Sequence, residues 1–360
     1  MGLPLEGLTI VEMAGIGPGP FAAMMLADHG AAVIRVEREG LIGVPNDPLL
    51  RNRRSITLDL KRDDHRDVVR RLARSADGLV EGFRPGVMER LGLGPDVLQG
   101  DNRRLVYGRV TGWGREGPLS DSAGHDIDYL ALTGLLHAMG EPDRPPRPPL
   151  NLVADYAGGG MMLAFGMVAA LLDVTRGAVG RVVDAAMVDG AALTGALAFG
   201  MKAAGMWSGG RGNNLLDGGS PTYGCYACAD GRYVALGAIE PGFVSVLLEG
   251  LGLSVDATRD DIAAAIAARP RNDWVTHFSG TDACVAPVLD MDEAPAHPHN
   301  RQRGTFIDVD GMVQPGPSPR YGGMDFAPPV PPRTPGADGA DILRELGYAP
   351  ADIARLQEPE

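Results

Sequence analysis

From residue 8 to residue 110 the chain alternates short apolar runs with helix-patterned stretches, and no other feature limits its fold as strongly. Residues 8–14 read as a buried strand, followed by the turn Gly15-Ile16-Gly17-Pro18-Gly19-Pro20 and a helix from about Phe21. Gly30 falls where a helix C-terminus takes a residue able to adopt positive φ. Residues 31–36, 55–60, 78–83 and 105–110 supply further strands. Between them, residues 63–75 set Val68, Val69, Leu72 and Ala73 on one stripe among arginines, the pattern of an amphipathic helix. Such alternation predicts an α/β fold with a parallel sheet covered by helices on both faces.

Beyond residue 126 the pattern becomes helical, with Gly, Ala and Met lining two long segments at about 126–139 and 156–174. A strand at 181–186 and a helix to about Ala204 follow. Small side chains let helices approach closely, so this region is expected to pack helix on helix, within or between subunits. Residues 222–228 and 232–238, separated by Ala229-Asp230-Gly231, carry a hairpin signal. Short helices around 243–251 and 260–268 complete an α+β unit. Residues 311–336, dense in Pro and Gly, are expected to run extended over a surface, and a last helix spans 340–347. The expected organisation is therefore a large domain over 1–207, a Gly- and Asn-rich linker over 208–221, a small α+β domain over 222–310, and a return segment over 311–360.

Composition narrows the function classes. Hydrophobic residues at 44% and charged residues at 22% describe packed domains, not a disordered chain. The apolar run 161–172 is short of the ~20 residues a membrane helix requires, so no membrane association is expected. No basic region followed by an apolar core opens the sequence, and three cysteines do not make a disulfide framework. With Gln357-Glu358-Pro359-Glu360 unlike a peroxisomal tripeptide, a reducing, cytoplasmic setting is expected.

The net charge of −13 argues against nucleic-acid binding. Its distribution is uneven. Residues 1–115 carry 17 basic and 15 acidic side chains, whereas the remaining 245 carry 16 and 31. Arg35, Arg38, Arg51, Arg53, Arg54, Lys61, Arg62, Arg84 and Arg90 account for the local excess. They suit either a small polyanion docking on the N-terminal third or a solvated basic surface.

Several motifs invite chemistry, and each has a plainer structural reading. The Gly-rich turn with Glu37 about 20 residues on approaches a dinucleotide fingerprint. Pro20 replaces its third glycine, however, and neither Pro18 nor Pro20 has an amide proton for a pyrophosphate. Pro20 reads better as the first residue of a helix. Cys225-Tyr226-Ala227-Cys228 has no partner pair, and residues three apart on a strand face opposite ways. His297-Pro298-His299 reads as a surface turn, so no metal site is expected. His125, in Gly124-His125-Asp126-Ile127-Asp128, stands at a helix start, where the dipole disfavours a cation and the neutral form of a general base is retained. A cap or packing role is the plainer alternative. Asp155 follows an apolar stretch and precedes Gly158-Gly159-Gly160, again at a helix start; it reads as an N-cap or as a second base. Glu240, after the apolar strand end at 235–239, is a third candidate or a surface carboxylate.

Together these segments resemble the α-methylacyl-CoA racemases, a branch of the family III CoA-transferase superfamily. The resemblance is carried by Val11-Glu-Met-Ala-Gly-Ile-Gly-Pro-Gly-Pro20, Asn52-Arg-Arg-Ser, Leu58-Asp-Leu-Lys61 and Glu81-Gly-Phe-Arg-Pro-Gly-Val87. It continues through Arg90-Leu-Gly-Leu, Thr111-Gly-Trp-Gly, Ala123-Gly-His-Asp-Ile127, Val182-Val-Asp-Ala-Ala-Met-Val-Asp189 and Gly237-Ala-Ile-Glu240. The match spans nearly the whole chain. It implies a Rossmann-like large domain completed by the C-terminal tail, a small domain between, and an interlocked homodimer with active sites between subunits. It implies no separate cofactor: Coenzyme A enters as part of the acyl-CoA substrate. Ile16, Arg38, Leu58, Asp59, Leu60, Lys61, Gly82, Arg84, Arg90 and Gly124 are the implied CoA contacts.

The implied reaction interconverts (R)- and (S)-2-methylacyl-CoA by removing the α-proton from one face and returning one to the other. That requires two flanking bases, His125 and Asp155. Glu240 of the partner subunit would orient His125, and the amide of Asp126 would stabilise the enolate oxygen. A CoA-transferase with Asp155 as nucleophile is the alternative; His125 has no evident role there. A surface including Met187, Met201, Met206 and Phe199 is a candidate acyl site or simply core.

Overall fold

The computed structural model describes residues 2–39, 44, 46–207 and 209–358. Ser208 of the expected linker, and Pro359 and Glu360 of the C-terminus, lie outside the described residues. The chain divides into two compact units. The first comprises 1–133, 150–194 and 306–360; the second comprises 134–149 and 195–305. These boundaries differ from the expected ones: residues 134–149 and 195–207 join the smaller unit, and residues 306–310 join the larger.

The larger unit is built on six parallel strands in the order β3-β2-β1-β4-β5-β6. β1 (Thr9–Met13) leads through Gly17, at φ 69°, into α1 (Pro18–Asp28). The helix begins at Pro18, earlier than expected, because a proline at the first position gives up only an amide the helix would leave unpaired. Gly30, at φ 106°, closes it, and β2 (Ala32–Glu37) follows. β3 (Arg53–Thr57), α2 (Asp63–Ser75) and β4 (Gly78–Glu81) come next. α2 buries the predicted stripe Val68, Val69, Leu72 and Ala73. Two short helices, α3 (Val87–Arg90) and α4 (Pro95–Asp101), lead to β5 (Val106–Thr111).

The helix after residue 126 is shorter than expected. α5 spans Asp126–Leu132 and ends at Thr133, before Gly134 at φ 79°. The next helical stretch is longer than expected: a π-helical segment, Leu152–Met161, runs directly into α6 (Met162–Thr175). By length and composition this 24-residue stretch is apolar enough to cross a membrane, yet half of it is buried against its own unit, as in a core helix. β6 (Val182–Ala186) and α7 (Met187–Thr194) finish the central part. Gly158 is required here, since a Cβ would lie 2.5 Å from the Ala191 amide nitrogen. The C-terminal return is not wholly irregular: Phe306–Val309 and Met312–Pro315 pair antiparallel. Helix Gly339–Glu345 packs on β3, and a further helix, Pro350–Leu356, was missed in the sequence.

The basic residues of the N-terminal third divide: Arg35, Arg51 and Arg53 are buried and Arg54 and Arg62 are half-buried in ion pairs, so their excess is only in part a surface. Glu12, Arg35 and Ser55 stand directly opposite one another across β1, β2 and β3. The fully buried Glu12 carboxylate pairs with Arg35 and, at 2.9 Å, with Arg53. Arg35 also bonds Glu37, and Arg53 donates to the carbonyls of Arg51 and Pro20. Arg51 is held by Asp28, Gln314 and the Pro315 carbonyl. Arg54 pairs with Glu345, and Arg62 with Asp64. Arg38, Lys61, Arg84 and Arg90 stay exposed.

In the smaller unit, α8 (Ala196–Ala203) precedes the hairpin β7 (Tyr223–Ala227) and β8 (Tyr233–Gly237), as the spacing predicted. α9 (Pro241–Leu251), α10 (Arg259–Ile266), α11 (Arg271–His277) and β9 (Val285–Val288) complete a three-stranded antiparallel sheet packed against helices. Cys225 is exposed and Cys228 buried. Replacing Glu12 by Gln leaves Arg35 and Arg53 buried with reduced counter-charge, and is expected to destabilise by about 3–5 kcal/mol. A lower urea midpoint at unchanged m-value is the result to look for.

Candidate active site

In a sheet of this strand order, β1 and β4 are adjacent while their connections leave in opposite directions, which opens a crevice at their C-terminal ends. A cleft of about 1380 Å³ lies there, wholly within the larger unit. The turn after β1, including Ile16, forms one side, and Gly82, Phe83 and Arg84 after β4 form another. Trp113, Gly124 and His125 come from the segment after β5, and Asn151, Asp155 and Tyr156 from the π-helical segment. Residues 46–50 and 332–335 complete the lining.

Two helix starts converge here, and one carboxylate joins them. His125 occupies the N-cap of α5, and its amide donates to Asp128 at 2.9 Å. Asp126, buried behind it, accepts the backbone N–H groups of Ala154 at 2.8 Å and Asp155 at 2.7 Å through a single oxygen. The first amides of a helical segment have no acceptor of their own, so Asp126 satisfies two of them across 28 residues of sequence. Asp155 is not the cap; Asn151 holds that position and donates to the Asp155 carboxylate at 3.2 Å. That spacing of four residues in a helical segment is the sequence signal that could have found Asn151.

Burial raises the Asp155 pKa from its ordinary value; the Asn151 hydrogen bond opposes this, Asp126 adds to it and His125 offsets it. Gly17 is favoured by its φ of 69°, and a Cβ there would meet the Asp155 carboxylate only at ordinary contact, 3.6 Å. Gly124 is constrained sterically: a Cβ would lie 2.8 Å from Tyr129 and 3.0 Å from Trp113. Those rings meet edge to face at 4.8 Å, and the Tyr129 hydroxyl donates to the Gly124 carbonyl. The arrangement presents an imidazole and a carboxyl of raised pKa to one cleft, the equipment for proton transfer to and from carbon.

A sequence model of CoA-transferase family III matches residues 5–338. The chain belongs to that family. Over 98% of its length it is 44% identical to the α-methylacyl-CoA racemase of Mus musculus and 43% identical to that of Homo sapiens, with 96% of each covered. A crystal structure of a CaiB/BaiF family protein from Brucella suis aligns with 96% of this chain and 100% of its own at a TM-score of 0.82 and 27% identity.

Of the residues that the family resemblance singled out, Ile16, Gly82, Arg84, Gly124, His125 and Asp155 share the cleft. Arg38, Leu58, Asp59, Leu60, Lys61 and Arg90 are outside its lining. The Leu58 side chain belongs to the core, so only its backbone is available to a ligand. The Asp59 amide donates to His65 Nδ1 and its carboxylate accepts the Lys61 amide, which shapes this strand end. Glu240 caps α9 in the smaller unit and is exposed. Met187 lines the cleft, Met201 is buried, and Met206 and Phe199 are exposed.

Glu81, buried at the end of β4, accepts the Phe83 amide at 2.7 Å and so fixes the segment carrying Gly82 and Arg84. Burial lifts its pKa to about 7 despite the nearby Arg109, whose guanidinium is shared with Glu89.

Two outcomes follow from this geometry. Asp126→Ala leaves the Ala154 and Asp155 amides unpaired at about 1–3 kcal/mol each, and their hydrogen exchange is expected to accelerate relative to the sheet. For Glu81, the folded protein holds a proton that the unfolded chain releases near the ordinary pKa. Stability should therefore decline as pH rises from the ordinary carboxylate range to about 7. In Glu81→Gln that part of the decline should vanish, as read from urea midpoints across the window.

Proposed function

We propose that this chain is an α-methylacyl-CoA racemase, interconverting the epimers of 2-methylacyl-CoA thioesters by a two-base proton transfer. The observation that carries the reading is that His125 and Asp155 line one cleft, with the Asp126 carboxylate holding the segment of one to that of the other. The printed names of the 43–44% identical relatives support it.

The α-hydrogen of a thioester is acidic because the carbanion delocalises onto the carbonyl oxygen as an enolate. In one direction His125 takes the proton from one face and Asp155 returns one to the other; in the reverse direction they exchange roles. A raised Asp155 pKa suits both halves of this cycle, since the same carboxyl must accept and donate near neutral pH. The Asp126 amide, among the unpaired N–H groups of the first turn of α5, would stabilise the enolate oxygen, a contribution of about 10²- to 10³-fold in rate. Arg84, with Arg38, Lys61 and Arg90 nearby in sequence to the cleft loops, would hold the phosphates of CoA. CoA serves here as part of the substrate, with no further cofactor.

A homodimer belongs to the same proposal, with Glu240 of the partner subunit orienting His125. Exposed apolar side chains on the larger unit, Phe165 at 73%, Leu132 at 61% and Leu193 at 61%, favour association. Cytoplasmic location is part of the reading.

Proton NMR of (R)- and (S)-2-methylacyl-CoA in deuterated water tests the reaction. The expected result is loss of the α-proton signal from both epimers and convergence on one mixture. His125→Ala and Asp155→Ala should each slow epimerisation by about 10²-fold or more. An undiminished rate in either variant would remove the two-base assignment. Retention of the α-proton by the wild-type protein, with new thioesters on adding free acids, would establish the transferase instead.

A further inference from the structure

The cleft holds less free cationic charge than its lining suggests. Four arginines border it: Arg35, Arg53, Arg84 and Arg333. Arg35 and Arg53 are buried and neutralised by Glu12 and Glu37, so they belong to the sheet. Arg84 and Arg333 are exposed. Arg333 lies in the C-terminal return, far in sequence from the basic N-terminal third, and no motif drew attention to it.

We propose that Arg333 is a substrate-binding residue, contacting a phosphate of the 3′-phospho-ADP portion of CoA. This rests on the acyl-CoA reading above and deepens it. The backbone around Arg333 is fixed. Asn52 and Val330 exchange hydrogen bonds at 2.9 and 2.7 Å, the Gly336 amide donates to Ser55 Oγ at 2.7 Å, and the Asp338 amide donates to the Ser55 carbonyl at 3.0 Å. Pro331, Pro332 and Pro335 restrict the segment between these anchors. The return is thereby stitched along β3, and Arg333 stands on a preorganised wall of the cleft.

Its side chain is nevertheless available. The ion pair is with Asp338 at 3.9 Å, where 51% of the Arg333 side chain remains exposed. The other Asp338 oxygen accepts the Ser55 amide at 2.9 Å, so this carboxylate is already committed to the backbone. A guanidinium in this position can form charge-assisted bonds to phosphate without giving up a close internal partner. The position also suits the ligand: residues 332–335 line the cleft next to an anchor on β3 at Ser55, whereas His125 and Asp155 enter it from the segment after β5 and from the π-helical segment. Phosphates bound there leave the thioester to reach the bases.

The experiment compares wild type, Arg333→Gln and Arg333→Lys with an acyl-CoA and with the same acyl group on pantetheine, which lacks the 3′-phospho-ADP. Calorimetry with free CoA runs alongside and needs no turnover. Arg333→Gln is expected to raise the KM for acyl-CoA and the Kd for CoA about tenfold, with kcat unchanged and the pantetheine thioester unaffected. Arg333→Lys should recover part of the loss, and raising salt should weaken CoA binding more steeply in wild type than in Arg333→Gln. Dephospho-CoA separates the phosphates: an undiminished Arg333→Gln effect assigns the diphosphate, and a lost effect assigns the 3′-phosphate. Wild-type affinity for CoA in Arg333→Gln, or an equal loss with the pantetheine thioester, would overturn the proposal. Failure of the racemase reading is distinct: wild type would bind CoA, Arg333→Gln would bind it less well, and no α-proton would exchange.

Discussion

Much of the larger unit is tied to one buried carboxylate. Glu12 lies in the first strand, fully enclosed, and holds Arg35 of the second strand and Arg53 of the third. Arg53 reaches the Pro20 carbonyl, so the turn beside Asp155 depends on the same charge. Through Glu37 and Ser55 the network extends to Gly336, and with it to the return segment that walls the cleft. A buried ion network of this kind need not add stability over apolar packing, but removing one partner strands the others. Its value here is geometric: strands, turn and tail are set in one arrangement.

The second constraint works at the cleft. A parallel sheet opens its crevice at the C-terminal strand ends, and the segments after β1, β4 and β5 all arrive there. His125 and Asp155 are nonetheless 30 residues apart, on separate helix starts. Asp126 resolves this by accepting two backbone amides of the π-helical segment, which substitutes for the acceptors that helix starts lack. The widened π geometry coincides with the candidate carboxyl, Asp155, as such segments often coincide with functional sites. Close contact at Gly158 then seats this segment against α7.

Charge was where local reading and folded structure parted. The N-terminal arginines read as a solvated surface or as a docking site for a polyanion, because sequence registers the sign of a side chain and not its partner. Folding brings Asp28, Glu12 and Glu345 to Arg51, Arg53 and Arg54 across separations of 23, 41 and 291 residues. Pairing at such distances leaves no periodic trace. The same limit hid Arg333, which becomes part of the cleft only because the tail returns along β3. The helix boundaries erred for a local reason, since Gly134 interrupts an otherwise favourable run.

By itself the sequence determined the alternation of strand and helix, the parallel sheet, the amphipathic face of α2, the hairpin at 223–237 and the candidate roles of His125 and Asp155. These follow from short-range regularities: periods of 2 and 3.6 residues, prolines at helix starts, and glycines where φ must be positive. Only the tertiary structure decided which arginines are engaged, which segments wall the cleft, that Asn151 and not Asp155 caps its helical segment, and that residues 134–149 join the smaller unit. Those outcomes depend on hydrogen bonds and ion pairs between residues distant in sequence, whose energies exist only after the chain has closed on itself.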